Sequence, residues 1–150
     1  MKLELMPRTD LTLRTITALT DGQRWRAAQL AEQVGTTAAF LAHIVGPLTK
    51  AGWVHSAPGP TSGHQLVADL STISLLDLIE AVEGPTDDGR CVMTSQPCPA
   101  PEPCAIHHTW VRARSALSQE LAATSLFSIT TEDAITTEHA ITNDQKGRQP

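Results

Sequence analysis

The sequence predicts a mainly α-helical fold with a small β wing, a winged helix-turn-helix followed by a long C-terminal dimerisation helix. Three observations predict this fold class. Short amphipathic segments in the first part of the chain are separated by glycine breaks. A Pro- and Gly-rich turn lies between two short strand-like runs, which is typical of a hairpin. A further helical period runs from Ile106 to about Leu126.

The first two helices are indicated by apolar spacing and by their end signals. The first covers residues 9–20, with Thr9 or Asp10 as its N-terminal cap. The second covers residues 26–34 and ends at Gly35, because the left-handed conformation that closes a helix favours glycine.

A third helix begins at Thr36 or Thr37 and ends at Gly52. Pro47 lies late in this helix, where it removes a backbone donor, and it predicts a kink or an early end near Gly46. Two helices joined by a short glycine turn, with another helix before them, form the helix-turn-helix pattern.

The wing and a fourth helix follow. Residues 53–55 and 64–67 predict the two strands of a hairpin. This hairpin directly follows the third helix, which is the recognition helix of the pattern. Residues 73–82 form another amphipathic helix, with Ser71 or Thr72 as its cap.

The chain therefore divides into four parts. Residues 1–84 form the winged helix-turn-helix DNA-binding domain, and residues 85–105 form a cysteine-rich loop. Residues 106–133 form the dimerisation helix and a return segment, and residues 134–150 are polar, aperiodic and expected to be disordered.

The most informative feature is a group of three cysteines in the Pro-rich loop, Cys91, Cys98 and Cys104. An odd number of clustered thiols does not suit a disulfide framework. A loop with five prolines and few large apolar residues buries little, so a bound metal would order it. Four interpretations stay open from the residues alone: a metal or cluster site, a redox pair with a spare thiol, a closed zinc site completed by His107, and inert thiols.

Composition excludes several functions. A net charge of −5 rules out a strongly cationic coat for nucleic acid, and 3% aromatic residues make a stacking platform for single strands improbable. No apolar run is long enough for a membrane span, and the N-terminus lacks a secretion signal, so a cytoplasmic location is expected. No nucleophile with a base, P-loop or carboxylate pair is evident, so the chain is not expected to be an enzyme.

The layout resembles the Rrf-type winged-helix transcription regulators, most closely the nitric-oxide-sensing, NsrR-like branch, with the IscR-like branch as a relative. The resemblance covers roughly residues 3–133, and the combination of its parts is specific. The matching segments are Thr9-Asp10-Leu11-Thr12-Leu13-Arg14, Phe40-Leu41-Ala42-His43-Ile44, Pro47-Leu48-Thr49-Lys50-Ala51-Gly52-Trp53-Val54, Ile73-Ser74-Leu75-Leu76-Asp77 and Glu83-Gly84, followed by the three-cysteine loop.

The resemblance implies an iron–sulfur cluster held by Cys91, Cys98 and Cys104, with 4Fe-4S favoured and 2Fe-2S as the alternative. It implies a fourth ligand that is not cysteine. In the NsrR-like branch this ligand is an Asp at the start of helix one of the other subunit, a position that Asp10 occupies. In the IscR-like branch it is a His three residues after the last cysteine, a position that His107 occupies. Asp10 is favoured, because its Thr-Asp opening is absent from the IscR-like pattern.

The function implied by the resemblance is a homodimeric repressor that binds a pseudo-palindromic operator in double-stranded DNA. Its cluster would sense nitric oxide or redox stress. The alternative is a zinc-stapled winged-helix regulator, or a protein-interaction module without a cluster.

The DNA contacts expected from the sequence are unusually poor in cations. Between Ala27 and Gly89 the one Lys or Arg is Lys50, against seven Asp and Glu, and the wing turn has no fixed cation. We therefore expect weaker, more salt-sensitive or more narrowly selective DNA binding than is typical of the family. The expected contacts are Thr36, Thr37, His43, Thr49 and Lys50 in the recognition helix, with Arg8, Arg24, Arg26 and His64 around it.

Overall fold

Five α-helices and one two-stranded sheet make up the computed structural model, which describes residues 4–59, 62–99 and 102–131. The predicted fold class is confirmed, and the expected tail at residues 134–150 lies outside the described residues. The elements are α1 (Pro7–Ala18), α2 (Ala27–Val34), α3 (Ala38–Lys50), β1 (Val54–Ala57), β2 (Gly63–Leu66), α4 (Leu75–Glu83) and α5 (His107–Ala123). Short 3-10 turns at Leu19–Asp21 and Leu70–Thr72 precede α2 and α4, and a helical segment at 126–131 follows α5.

The start of α1 is held by another helix and not by its own residues. The predicted caps Thr9 and Asp10 are wrong, because Met6 is the N-cap and Pro7 is the first helical residue. Glu83, at the end of α4, accepts hydrogen bonds from the Met6 N–H at 2.8 Å and from the Thr9 hydroxyl. A residue distant in sequence thus provides the hydrogen-bond acceptor for the donors at the start of α1.

Local signals place α2 and α3 as predicted. Gly35 ends α2 with a left-handed φ of 76°, and the side chain of Thr37 caps α3. The predicted early end near Gly46 is wrong, since α3 continues through Pro47 to Lys50. The proline is accommodated because buried apolar residues on both sides of it hold this turn against the core.

The wing is an antiparallel hairpin, and a residue outside its two strands also pairs with it. Trp25, from the connection before α2, exchanges two main-chain hydrogen bonds with His64 at 2.9 and 2.8 Å. The connection between α1 and α2 is therefore fastened to the base of the wing. The register within the hairpin is Val54↔Leu66, His55↔Gln65, Ser56↔His64 and Ala57↔Gly63.

The cap of α4 differs from the predicted one. Ser71 and Thr72 lie in the preceding 3-10 turn, whose own cap is Asp69. The Ser74 side chain caps α4, and the Asp77 carboxylate accepts a hydrogen bond from the Ser74 N–H at 2.8 Å, which completes a capping box.

The end of the long helix also differs from the prediction. α5 stops at Ala123, and the chain then pairs with the start of α4 through Leu75 N–H to Thr124 O and Leu126 N–H to Ile73 O, both at 2.8 Å. Leu126 therefore lies in the winged-helix core and not on a stripe of α5, none of whose residues is buried. The fully buried members of this core are Ile16, Leu19, Leu30, Leu41, Leu48, Leu78 and Leu126.

No helix in the described part of the chain is long and apolar enough to cross a membrane.

Replacing Leu126 tests whether this segment holds the fold together. Leu126 is 0% exposed and its neighbour Phe127 is 59% exposed. We expect Leu126→Ala to lower the free energy of unfolding by about 2–5 kcal/mol, because it leaves a cavity in the core. Phe127→Ala should change it by less than about 1 kcal/mol in the same urea titration. Equal losses in the two variants would contradict this placement of the segment.

Candidate metal centre and nucleic-acid interface

The three cysteine sulfurs converge on one point. The Cys104 Sγ lies 3.6 Å from the Cys91 Sγ and 3.7 Å from the Cys98 Sγ, and all three sulfurs lie within 4.8 Å of one another. The three side chains are free thiols and are partly buried. Soft sulfur donors in this arrangement suit zinc or an iron–sulfur cluster, so the donor set fits the group expected from the sequence.

A tight turn brings the first two cysteines round towards the third. The Cys91 N–H donates to the Gln96 carbonyl and the Ser95 N–H donates to the Cys91 carbonyl, both at 2.8 Å. Ser95 has a φ of +56°, and it is the one non-glycine with a positive φ among residues 4–59, 62–99 and 102–131. This conformation is uncommon for residues other than Gly, Asn and Asp, and here it reverses the chain between Cys91 and Cys98.

The loop is fastened to α5 near both of its ends. The His107 N–H donates to the Cys104 carbonyl at 3.0 Å, so the third cysteine lies immediately before the helix. Arg114, two turns further on, forms an ion pair with Asp87 and lies 3.5 Å from the Arg90 carbonyl. Since Asp87 and Arg90 begin the loop, the first two turns of α5 form one wall of the site.

The pKa values of Cys91 and Cys98 show that the thiols interact with one another. The Met93 N–H, followed by the Cys98 thiol, lowers the pKa of Cys91 to about 7. The Cys104 N–H lowers the pKa of Cys98, but the Cys91 side chain, burial and the Cys104 side chain outweigh it and raise that pKa. A second thiolate is therefore disfavoured beside the first.

The two candidates for a fourth ligand lie in different places. His107 lines the small pocket that contains the three cysteines. Asp10 is exposed near the start of α1, pairs with Arg14 at 3.0 Å, and lines a separate apolar groove against α4. Within one chain His107 thus lines the cysteine pocket, although it does not join the ligand group of the three sulfurs, and Asp10 lies in a different groove. In the described part of the chain, the three cysteines form the one group of at least three potential metal ligands.

The recognition helix α3 presents its predicted polar residues unevenly. Thr37 is engaged as the helix cap, and Thr36 is half-buried before it, whereas His43 and Lys50 are exposed. The structure thus leaves His43, Thr49 and Lys50 as the exposed polar residues of α3.

A chain of polar side chains joins α3 to the wing. The Thr49 hydroxyl lies 3.1 Å from the Ser56 hydroxyl, which lies 2.9 Å from His64 Nδ1. Burial lowers the pKa of His64, which favours the neutral form of its ring. These side chains set the position of the wing against the recognition helix.

The three predicted arginines differ in their surroundings. The Arg8 guanidinium donates to the Val82 carbonyl at the end of α4, so it serves the contact between two helices. Arg24 lies 3.4 Å from the Gln65 amide oxygen on β2, and Arg26 is exposed at the start of α2. Because Trp25 pairs with β2, Arg24 and Arg26 lie beside the wing that lacks cations of its own.

One exposed residue of α3 was missed by sequence reasoning. Phe40 resembles a core position in the apolar pattern, yet it is 41% exposed and its ring centre lies 6.1 Å from that of His43. The signal was available, since Leu41, Ile44, Val45 and Leu48 already complete the buried stripe and Phe40 lies beside it.

The fold and the two sites define a winged-helix transcriptional regulator with a thiol centre. The Rrf2 family, described as an iron-dependent transcriptional regulator, matches residues 7–132. The chain belongs to the Rrf2 family. Its members are regulators, which agrees with the expectation that the chain is not an enzyme.

Relatives and solved structures place the chain near two kinds of regulator. The HTH-type transcriptional regulator IscR of Vibrio parahaemolyticus is 29% identical over 106 residues, which are 71% of this chain and 62% of that protein. The chain therefore spans less than two thirds of this relative. Staphylococcus aureus CymR is similar in structure, with a TM-score of 0.63, 26% identity, and coverage of 83% of this chain and 96% of that one. The CymR structure of B. subtilis shares the fold, with a TM-score of 0.69, 23% identity, and coverage of 87% and 98%.

Gly63 tests the attachment of Trp25 to the wing. A Cβ at this position would lie 2.7 Å from the Trp25 carbonyl oxygen and 2.8 Å from the Arg24 Cγ. We expect Gly63→Ala to lower the free energy of unfolding by about 1–3 kcal/mol through overpacking. Gly46→Ala is the control, because a Cβ there meets nothing within 4 Å, and it should stabilise α3 by up to about 1 kcal/mol. If Gly63→Ala leaves the free energy of unfolding in urea unchanged, Trp25 does not hold the wing.

Proposed function

We propose that this chain is a transcriptional repressor whose DNA affinity is controlled by an iron–sulfur cluster, with 4Fe-4S favoured over 2Fe-2S. The observation that carries this proposal is the convergence of three cysteine sulfurs within 4.8 Å in a member of an iron-dependent family of regulators. Cys91, Cys98 and Cys104 are the proposed ligands.

The residues of the loop have distinct tasks in this proposal. The turn through Ser95 orients Cys91 and Cys98, and the His107 N–H holds the Cys104 carbonyl just before the N-terminus of α5. The cluster, when bound, supplies iron that nitric oxide or an oxidant can attack. Loss of the cluster would return its ligands to thiols and remove the bonds that link the three cysteines, so the loop could change its contacts with α5.

The fourth ligand decides which branch of the family the chain follows. Asp10 donated by a partner subunit would be NsrR-like, and its position outside the cysteine pocket of its own chain is compatible with donation to another chain. His107 would be IscR-like, and its place in the cysteine pocket supports it. We favour Asp10, because of the Thr9-Asp10-Leu11 opening.

A homodimer is proposed on the evidence of α5. None of its 17 residues is buried, although Val111 and Leu117 on α5 and Ile106 before it are large apolar residues. A helix of this composition needs a partner to cover its apolar side chains. The dimer would place two recognition helices in successive major grooves of a pseudo-palindromic operator.

The division of labour along the chain follows from this arrangement. Residues 1–84 would bind DNA, residues 85–105 would hold the cluster, and residues 106–133 would form the dimer contact and the return segment. Binding to bacterial promoter DNA implies that the protein works in the cytoplasm.

A zinc-stapled regulator or interaction module is the second candidate. The observation that favours it is that His107 lines the same pocket as the three cysteines, and Cys3His is a common closed set of zinc ligands. Zinc would stabilise the loop without redox chemistry.

Cluster content and DNA binding test the proposal together. Protein purified without oxygen should be brown, with iron and sulfide in stoichiometric amounts, and should shift promoter fragments differently before and after cluster removal. Cys104→Ser should lose the visible absorption and that difference, because Cys104 contacts both other thiols. Met93→Leu, an exposed neighbour that keeps the backbone donor to Cys91, should retain both. Colourless protein with bound zinc would support the second candidate instead.

The fourth ligand is tested with paired variants. Asp10→Ala removes the proposed ligand together with its ion pair to Arg14, whereas Arg14→Ala removes the pair alone. We expect Asp10→Ala to change the absorption spectrum of the cluster and to increase the rate at which the cluster is lost. Arg14→Ala should leave the spectrum and this rate unchanged. His107→Ala is compared in the same way with His108→Ala, and a change in this pair alone would assign an IscR-like site. If neither Asp10→Ala nor His107→Ala changes the cluster, both assignments are wrong.

A further inference from the structure

We infer that the exposed face of α3 recognises DNA mainly through the methyl groups of thymine, with Phe40 as the principal contact. This inference rests on the proposed DNA binding and names the base chemistry that the recognition helix prefers. It concerns the bases in the major groove and is independent of the nature of the metal centre.

The residue types on α3 exclude the usual polar readout. From Ala38 to Lys50 the helix contains no Arg, Asn, Gln, Asp or Glu. Arginine reads guanine, Asn and Gln read adenine, and acidic side chains read cytosine, so these pairings are unavailable along the helix. Lys50 is at the last helical position, away from the N-terminal turns that meet base edges in helix-turn-helix proteins. The groups that remain on the exposed face are apolar, apart from His43 and Thr49.

Phe40 lies where a recognition helix meets the bases. It is the third residue of α3, and its N–H is bonded to the Thr37 hydroxyl at 3.2 Å, which fixes the first turn. Its ring is 41% exposed while the adjacent Leu41 is fully buried, so the backbone cannot rotate the ring into the core without exposing Leu41. His43, one turn later, contacts the ring at a tilt of 51° and limits its movement.

The rest of the face allows a close approach to the groove floor. Ala39, Ala42 and Gly46 are exposed and small, and a Cβ at Gly46 would meet nothing within 4 Å. A ring that stands above small neighbours can enter the major groove, where thymine alone presents a methyl group. Burial of that methyl against Phe40 supplies base discrimination without any fixed charge. His43 supplies the nearby hydrogen-bonding group.

The test separates the methyl group from every other property of the base. The full chain, purified without oxygen, selects binding sites from a randomised duplex library, and each thymine of the selected duplex is then replaced singly by deoxyuridine. We expect A·T-rich half-sites, with at least one thymine per half-site at which the replacement weakens binding about fourfold, the effect of one buried methyl. Replacements outside the half-sites should leave the Kd unchanged.

The chain has two phenylalanines, which provide a matched pair of variants. Phe40→Ala should bring the ratio of the deoxyuridine and thymine dissociation constants to about one at the sensitive positions. Phe127→Ala, exposed on the segment after α5, should keep the fourfold ratio. Two results would overturn this inference and leave the proposed function intact. One is selective binding with no sensitive thymine, and the other is a Phe40→Ala variant that keeps the fourfold ratio of the deoxyuridine and thymine dissociation constants. Absence of selective binding in every state of the metal centre overturns the proposed function and this inference with it.

Discussion

Two main-chain hydrogen bonds between the end of α5 and the start of α4 fix the cysteine site relative to the winged helix. They join Leu75 to Thr124 and Leu126 to Ile73, both at 2.8 Å. Because α5 has no buried residue, its position depends on this junction and on the burial of Leu126 that follows it. The first turns of α5 in turn carry the wall of the thiol site, so the site is positioned by the core of the DNA-binding unit.

Helix α4 connects that junction to the rest of the winged helix. Its start pairs with the chain after α5, and at its end Glu83 bonds the start of α1 while Val82 accepts from Arg8. The cysteine loop leaves α4 immediately afterwards, and α4 also packs against α3. A change of the loop that pulled on α4 would therefore act on α1 and α3 together, through side chains that are packed and hydrogen-bonded.

The positions of four carboxylates show why the acidity of the chain is compatible with DNA binding. Asp77 closes the capping box of α4, Glu80 accepts from the Thr86 N–H, and Glu83 serves α1. Asp69 caps a 3-10 turn, and the Ser71 hydroxyl and N–H lower its pKa. These carboxylates stabilise helix ends, and none of them lies on α3 or on the strands of the wing. The recognition surface is close to neutral, which limits its affinity for phosphates without repelling DNA.

What could be predicted from the sequence depended on how local each signal was. The left-handed glycine at Gly35 and the apolar spacing of α2 and α3 act within a few residues, and they placed the helix-turn-helix correctly. The cap of α1 could not be found in this way, because Glu83 reaches it from 77 residues along the chain. The same distinction applies to the site. The three cysteines lie within one short loop, so a turn of that loop is enough to bring them together. Asp10 lies in a different groove of its own chain, so it could reach the sulfurs only of a second chain. An Asp10 ligand would therefore depend on the assembly, whereas a His107 ligand would belong to the loop of the same chain.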